Sequence, residues 1–204
     1  HIKDNKKIMI YGDYDADGVT STVTLFKGLK KCGAEVSYYI PDREQEGYGM
    51  NLQRIEEIAK EGYNLILTCD NGISAVNEVK RAKELGMVVV VTDHHELPFI
   101  EEEDGRKVVM PEADAIVNPK RPDCNYPFKP LCGAGIAFKF ICALYKKMGL
   151  NEIEAYDLLE FAGIGTICDV VDLLGENRII AKEALKMLSN SKNKGVIALK
   201  EIIG

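Results

Sequence analysis

The first 120 residues alternate between two periodicities, and this alternation restricts the fold more than any other feature of the chain. Short apolar runs recur at KKIMIYGD (6–13), EVSYYIP (35–41), NLILTCD (64–70), MVVVVTD (87–93) and ADAIVNP (113–119). Between the first four lie stretches with helical spacing. VTSTVTLFKGLKKC puts Val19, Val23 and Phe26 on one face, NLQRIEEIAKE does the same with Leu52, Ile55 and Ile58, and SAVNEVKRAKEL follows. Gly33, Gly62 and Gly86 stop them in turn. Strands separated by helices predict an α/β fold: a mostly parallel sheet of about five strands, helices on both faces, right-handed crossovers. After residue 130 only helical patterns remain, in GAGIAFKFICALYKKMG, NEIEAYDLLEFAG and a region holding RIIAKEALKMLSN, so a helical C-terminal part follows the sheet. The acidic EEEDGRK (101–107) reads as a solvated loop.

A chain of 204 residues that is 46% hydrophobic can bury one sizeable core with a small appendage. Its net charge of -6 argues against a generally basic, nucleic-acid-coating surface, although carboxylates held on cations count as negative in that sum. The longest apolar run is about the length of MVVVV, too short to span a bilayer, and no charged-then-apolar leader opens the chain. A chain that opens on His1 rather than Met reads as a piece of a longer one. The 6 cysteines form no CxxC pair and no compact disulfide spacing; they read as buried reduced thiols of a cytoplasmic protein.

In open α/β sheets, ligands bind beyond the carboxyl ends of the strands. Asp13, Asp15 and Asp17 follow the first strand, Asp70 ends the third in CDNG, and Asp93, His94 and His95 end the fourth in TDHHE. Three strands thus deliver carboxylates and imidazoles to one edge of one sheet. Such a donor set suits Mg²⁺ or Mn²⁺. Two ions about 4 Å apart on a shared carboxylate can generate hydroxide and stabilise charge on a phosphoryl group. Each motif alone has a plainer reading. DYDADG fits the start of an EF-hand loop, but Thr24 stands where a bidentate glutamate is needed. DADGV (15–19) fits the DxDxV pattern of haloacid-dehalogenase phosphatases, which leaves the histidine pair unused. DNG (70–72) is a turn signal, and His94 alone fits a structural or exposed role. The convergence of all of them favours a metal site.

DYDADG, CDNG and TDHHE, in that order, resemble the motifs of the DHH phosphoesterase family. IPDREQEGYGMN (40–51), NPKRPDCNYPFKPLCGAGIAFKF (118–140) and GTICDVVDL (165–173) are similar to segments of its single-strand-specific 5′-to-3′ DNA exonucleases, so the resemblance covers nearly the whole chain. It implies two divalent cations, Mn²⁺ or Mg²⁺. Asp15 and Asp17 would each ligate one, Asp70 would bridge them, and His94 and Asp169 would complete the second site. Asp13 would be a ligand or a hydrogen-bonded neighbour of the first. His95 would act as a charge-stabilising donor at the scissile phosphate, and Asp93 would orient a histidine.

The implied activity is hydrolysis of single-stranded DNA from its 5′ end to 5′-nucleotides, in DNA repair and recombination. The implied context is a monomer away from membranes, with a single-strand-binding protein or helicase as possible partner. Arg43 is a candidate for a terminal phosphate, with a surface pair to Glu44 or Glu46 as its plainer role. Lys120 and Arg121 are candidates for the backbone, against a solvated turn. Gly133 and Gly135 are candidates for amide donation to phosphate at a helix start, against a tight packed turn. Tyr14, Tyr48 and Phe128 could stack on bases or simply pack. Two positions depart from the pattern: Tyr11 stands where many members carry histidine, and Asp172 where these exonucleases commonly carry proline. Residues 1–190 are expected to form the DHH catalytic domain, and 191–204 to begin a connection to a second, DHH-associated domain. An oligoribonuclease or cyclic-dinucleotide phosphodiesterase is the rival within the family, and a catalytically idle metal-binding scaffold the rival outside it.

Overall fold

The computed structural model describes residues 1–102 and 105–203. Five strands, β1 (Ile8–Tyr11), β2 (Val36–Tyr39), β3 (Leu65–Thr68), β4 (Val88–Thr92) and β7 (Ala115–Val117), form one sheet in the order β2-β1-β3-β4-β7. All four pairings are parallel. Register holds Ile8 beside both Val36 and Leu65, and Leu65 beside Val88, so the carboxyl ends of the strands lie along one edge. These are the five strands expected from the sequence, each flanked by its connecting segment.

Helices cover both faces. On one, α2 (Leu52–Lys60) and α3 (Val76–Glu84) bury Ile55, Ile58, Val79 and Ala82 against Met9, Ile66, Val89 and Val91. On the other, α1 (Ala16–Lys31) and α4 (Gly133–Met148) pack over Ile8, Ile10 and Leu67, α5 (Leu159–Cys168) packs against α1 and α4, and α6 (Gly175–Ser189) against α5. A 3₁₀ segment (Glu152–Leu158) precedes α5, and α7 (Lys194–Ile203) ends the described chain, with Val196 seated in the larger core. The alternation of buried residues in β1 is lost because both faces are covered: all four are buried.

Two expectations are corrected. Of the expected face of α1, Val23 and Phe26 are partly buried against the larger core but Val19 is 38% exposed, and the fully buried residues are others, among them Ser21, Thr24, Leu25 and Gly28. α1 packs against α4 and α5 through small and hydroxyl-bearing residues, whose Thr20, Thr22 and Thr24 hydroxyls donate to carbonyls on their own helix. A hydrophobic period cannot register such a face. The described residues of EEEDGRK instead lie in the strands of an exposed antiparallel ribbon, β5 (Phe99–Glu102) with β6 (Gly105–Val108), whose Arg106 and Lys107 pair with Glu101 and Glu102. Glu103 and Asp104 lie outside the described residues.

Candidate metal centre

The chain leaves β1 through Asp13, which is buried, and turns into α1 at Asp15. Asp15 caps the helix by accepting the Gly18 amide at 2.9 Å while its side chain stays toward solvent. This fixes Asp17 in the first turn, pointing into the molecule. Asp17 is held by a second helix: Oδ2 accepts the Gly133 amide at 2.6 Å and Oδ1 the Ala134 amide at 2.8 Å, both at the start of α4. The positive end of α4 compensates the buried charge.

Asp70 follows β3 with a φ of 61°, in the left-handed region that costs most residues energy and that aspartate tolerates better. Neighbours hold it there. The Asp70 amide donates to Thr92, and the Asn71 side-chain amide bridges the carbonyls of Tyr11 and Cys69 at 3.1 and 2.9 Å. Gly72, at φ 106°, completes the turn with no room for a Cβ against Thr68.

Asp93 organises the end of β4. Its Oδ1 accepts the amides of His94 (2.7 Å) and His95 (3.1 Å) and Nδ1 of His95 (2.7 Å), and Oδ2 accepts the Ile73 amide (2.9 Å). Burial works to raise its pKa, but these donors, led by His95, hold it below the ordinary value. The same contact raises His95, whereas burial lowers His94, favouring a neutral imidazole with a free lone pair.

These loops converge. His94 Nε2 lies 3.0 Å from Asp70 Oδ1 and 3.8 Å from both Asp17 Oδ2 and Asp169 Oδ2. Asp169 arrives from the C-terminal end of α5. Three donor sets have ligating atoms within 4.8 Å of one another: Asp13, Asp15 and Asp70; Asp17, His94 and Asp169; Asp70, His94 and His95. Asp13 Oδ1 is buried without a hydrogen-bond partner, and the buried Asp70 Oδ1 and His94 Nε2 meet only each other. Burial raises Asp70 and Asp13, with neighbouring aspartates adding to the rise, and pushes Asp169 up to about 6. Buried carboxylates that repel one another, with a neutral imidazole among them, fit divalent cations.

The remaining candidates fall in different places. Arg43 does not pair with Glu44 or Glu46; its guanidinium sits 5.4 Å from the Tyr14 ring, next to the aspartate run. Glu46 is engaged by Tyr39 and Asn51 instead. Lys120 pairs with Glu96 at 2.8 Å beside the cluster. Arg121 is spent on Asp123 and the Ile116 carbonyl, away from it. The amides of Gly133 and Gly135 are already engaged: Gly133 donates to Asp17, and Gly135 to the Cys132 sulfur. Tyr11 is fully buried, its hydroxyl accepting the Asn51 amide, so the aromatic residue belongs to the core. Asp172 is exposed, on the rim of a cavity beside His94. Phe128 packs with the larger core.

Three contributors escaped the sequence reading in these roles. Tyr48 donates to the Asp70 carbonyl at 3.2 Å and lies 3.1 Å from His95 Nδ1. Asn118 donates to the His95 carbonyl at 3.0 Å. Asn71 locks the β1–β3 turn. The flanking glycines of EGYG were the available signal for Tyr48: Gly47 and Gly49 both have positive φ, which aims the tyrosine back at the sheet.

The pattern of the DHH family, N-terminal domain, matches residues 7–166. The chain is 50% identical over 202 residues to the single-stranded-DNA-specific exonuclease RecJ of Bacillus subtilis (strain 168), covering 99% of this chain and 23% of that protein. It superposes on a crystal structure of exonuclease RecJ bound to manganese with a TM-score of 0.86 at 36% identity, covering 100% of this chain and 49% of that one. For RecJ in complex with Mn²⁺ from Thermus thermophilus the TM-score is 0.80 at 35% identity, over 100% of this chain and 28% of that one. The chain thus spans less than half the length of each of these relatives.

Proposed function

The chain belongs to the DHH family, and from that membership and the converging carboxylates we propose that it carries the catalytic centre of a single-strand-specific 5′-to-3′ DNA exonuclease. The observation that carries the reading is the convergence of buried Asp13, Asp17 and Asp70 with His94, Asp15 and Asp169, their ligating atoms within 4.8 Å in three sets, among acids that repel one another. Asp13, Asp15 and Asp70 would hold one divalent cation, and Asp17, Asp70, His94 and Asp169 another, with Mn²⁺ or Mg²⁺ suited to these donors. Bound there, the cations supply an activated water and neutralise charge growing on the phosphoryl oxygens.

The chain's own residues do the rest. Asp93 fixes the His95 ring with Nδ1 protonated, leaving Nε2 to face the phosphate as a charge-stabilising donor when His95 is protonated, a state that the Asp93 contact favours. Arg43, beside Tyr14, is placed to grip a terminal phosphate through its planar fork. In the hydrolysis, phosphorus gains the water oxygen and loses the 3′ oxygen, which takes up a proton; a 5′-nucleotide leaves.

Residues 1–190 would form the catalytic domain and 191–204 a connecting segment, whose α7 seats Val196 in the larger core and leaves Ile202 and Ile203 exposed. No helix among the described residues is long and apolar enough to cross a membrane. The free thiols favour a reducing, cytoplasmic setting, and the DNA substrate favours a role in repair and recombination, with a single-strand-binding protein or helicase as partner to a monomer.

The test is parallel digestion of 5′-phosphorylated single-stranded DNA, short RNA and cyclic dinucleotides with added Mn²⁺. The expected result is release of 5′-nucleotides from DNA, abolished in Asp70→Ala protein of unchanged circular dichroism. Preference for cyclic dinucleotides overturns the substrate, and cation binding without any hydrolysis overturns the enzyme.

A further inference from the structure

The carboxyl edge of the sheet carries its charges in a definite order. Along β2-β1-β3-β4-β7, Arg43 stands past β2, the aspartates past β1 and β3, the histidines past β4, and Lys120 past β7. Cationic residues therefore bracket the carboxylate cluster. Beyond His94, Lys120 is joined by Lys129 at a cavity of about 190 Å³ whose apolar wall is Pro130, Leu131 and Val171. This is smaller than the roughly 300–1,000 Å³ of sites that enclose whole drug-sized ligands, and suits a single sugar or base.

Both lysines have donors to spare. Lys129 Nζ gives one hydrogen bond, to the Cys124 carbonyl at 2.6 Å, out of the three an ammonium can make. Lys120 pairs with Glu96, whose side chain is 84% exposed, a partner easily exchanged for a phosphate. The Lys120 charge also reaches His94 and Asp169. Asp172 shares the rim, so two ammonium groups face one carboxylate.

We propose that this cavity is a nucleotide subsite: Lys120 and Lys129 hold the phosphate one nucleotide downstream of the scissile bond, and the intervening sugar or base rests on Pro130, Leu131 and Val171. The proposal rests on the nuclease reading of the cluster. It gives the strand a direction across the sheet edge, with its terminal phosphate at Arg43, its scissile phosphate over the aspartates and its next phosphate at the lysines. Three nucleotides fill the track and two do not.

The test compares kcat and KM on 5′-phosphorylated di- and trithymidylate for the wild type, Lys120→Gln, Lys129→Gln and Lys129→Arg. On the trinucleotide each glutamine variant raises KM about tenfold, the scale of a charge-assisted hydrogen bond, with little change in kcat. Its salt dependence on a longer strand loses about 0.7 of a unit in slope, one phosphate contact on single-stranded nucleic acid. The dinucleotide shows no KM change, and Lys129→Arg restores most of the trinucleotide affinity. Lys120→Gln guards against a folding defect from losing the Lys129–Cys124 bond. Loss of equal size on both lengths, or none on the trinucleotide, overturns the subsite while the nuclease stands. A wild type that cuts neither length overturns the nuclease reading and the subsite together.

Discussion

Asp70 concentrates the cost of the centre in one residue. It is buried, sits at positive φ, and faces Asp17, Asp15 and Asp13 with an oxygen met only by His94 Nε2 at 3.0 Å. Asparagine keeps the shape and tolerates the same backbone region while removing the charge. Asp70→Asn should therefore raise the stability of the cation-free protein by about 1–3 kcal/mol, while weakening cation binding by more than the 10–100-fold typical of an outer partner. Thermal melts with and without Mn²⁺ measure both. Asp169 supplies the pH dependence. Burial first, then Asp17 and Asp15, raise it to about 6, above an ordinary carboxylate. Its contribution to stability is thus present below the ordinary range and is lost as pH rises through 6, whereas cation binding requires the deprotonated form and strengthens over the same interval. Between pH 4 and 7 the melting temperature of the cation-free protein should fall relative to that of Asp169→Asn. Parallel curves for the two proteins would contradict this assignment.

At the scale of elements, the centre depends on how closely α1, α4 and α5 meet. A Cβ at Gly165 of α5 would fall 2.5 Å from Asp17 Oδ1 and 2.6 Å from the Ala134 Cβ. Gly165→Ala should then cost about 1–3 kcal/mol and displace Asp17, lowering cation affinity as well as stability; denaturant titration and calorimetry separate the two. Strands were legible because Val, Ile and Leu runs in covered parallel strands are nearly continuous, as in β4. Strand ends were legible too, which is why Asp13, Asp15, Asp17, Asp70 and His94 could be named as one group before their proximity was seen; Asp169, at the end of α5, was named only through the resemblance to the DHH family. The inner face of α1 was not, because threonine, serine and glycine carry no hydrophobic period. Nor was the task of the α4 N-terminus: its glycines signal a close backbone approach, but sequence does not say whether the anion they meet is a phosphate or Asp17. The β5–β6 ribbon was missed because its strands are short and exposed on every residue, leaving no alternation to read.

Across the whole molecule, one sheet edge gathers residues separated by more than 150 positions in sequence, from Asp13 to Asp169, and the two helical layers brace them from one side and the other. Asp93, though it touches no proposed cation, ties this edge together through four donors, so Asp93→Asn should cost about 10–100-fold in activity with the fold intact, the scale of an outer partner that orients a site. The centre itself is tested most directly by anomalous diffraction from crystals soaked in Mn²⁺. Two peaks about 4 Å apart are predicted, one among Asp13, Asp15 and Asp70 and the other among Asp17, His94 and Asp169, with Asp70 reaching both. Crystals saturated with Mn²⁺ that show no peak between these side chains, or bind it only elsewhere on the surface, would contradict the account.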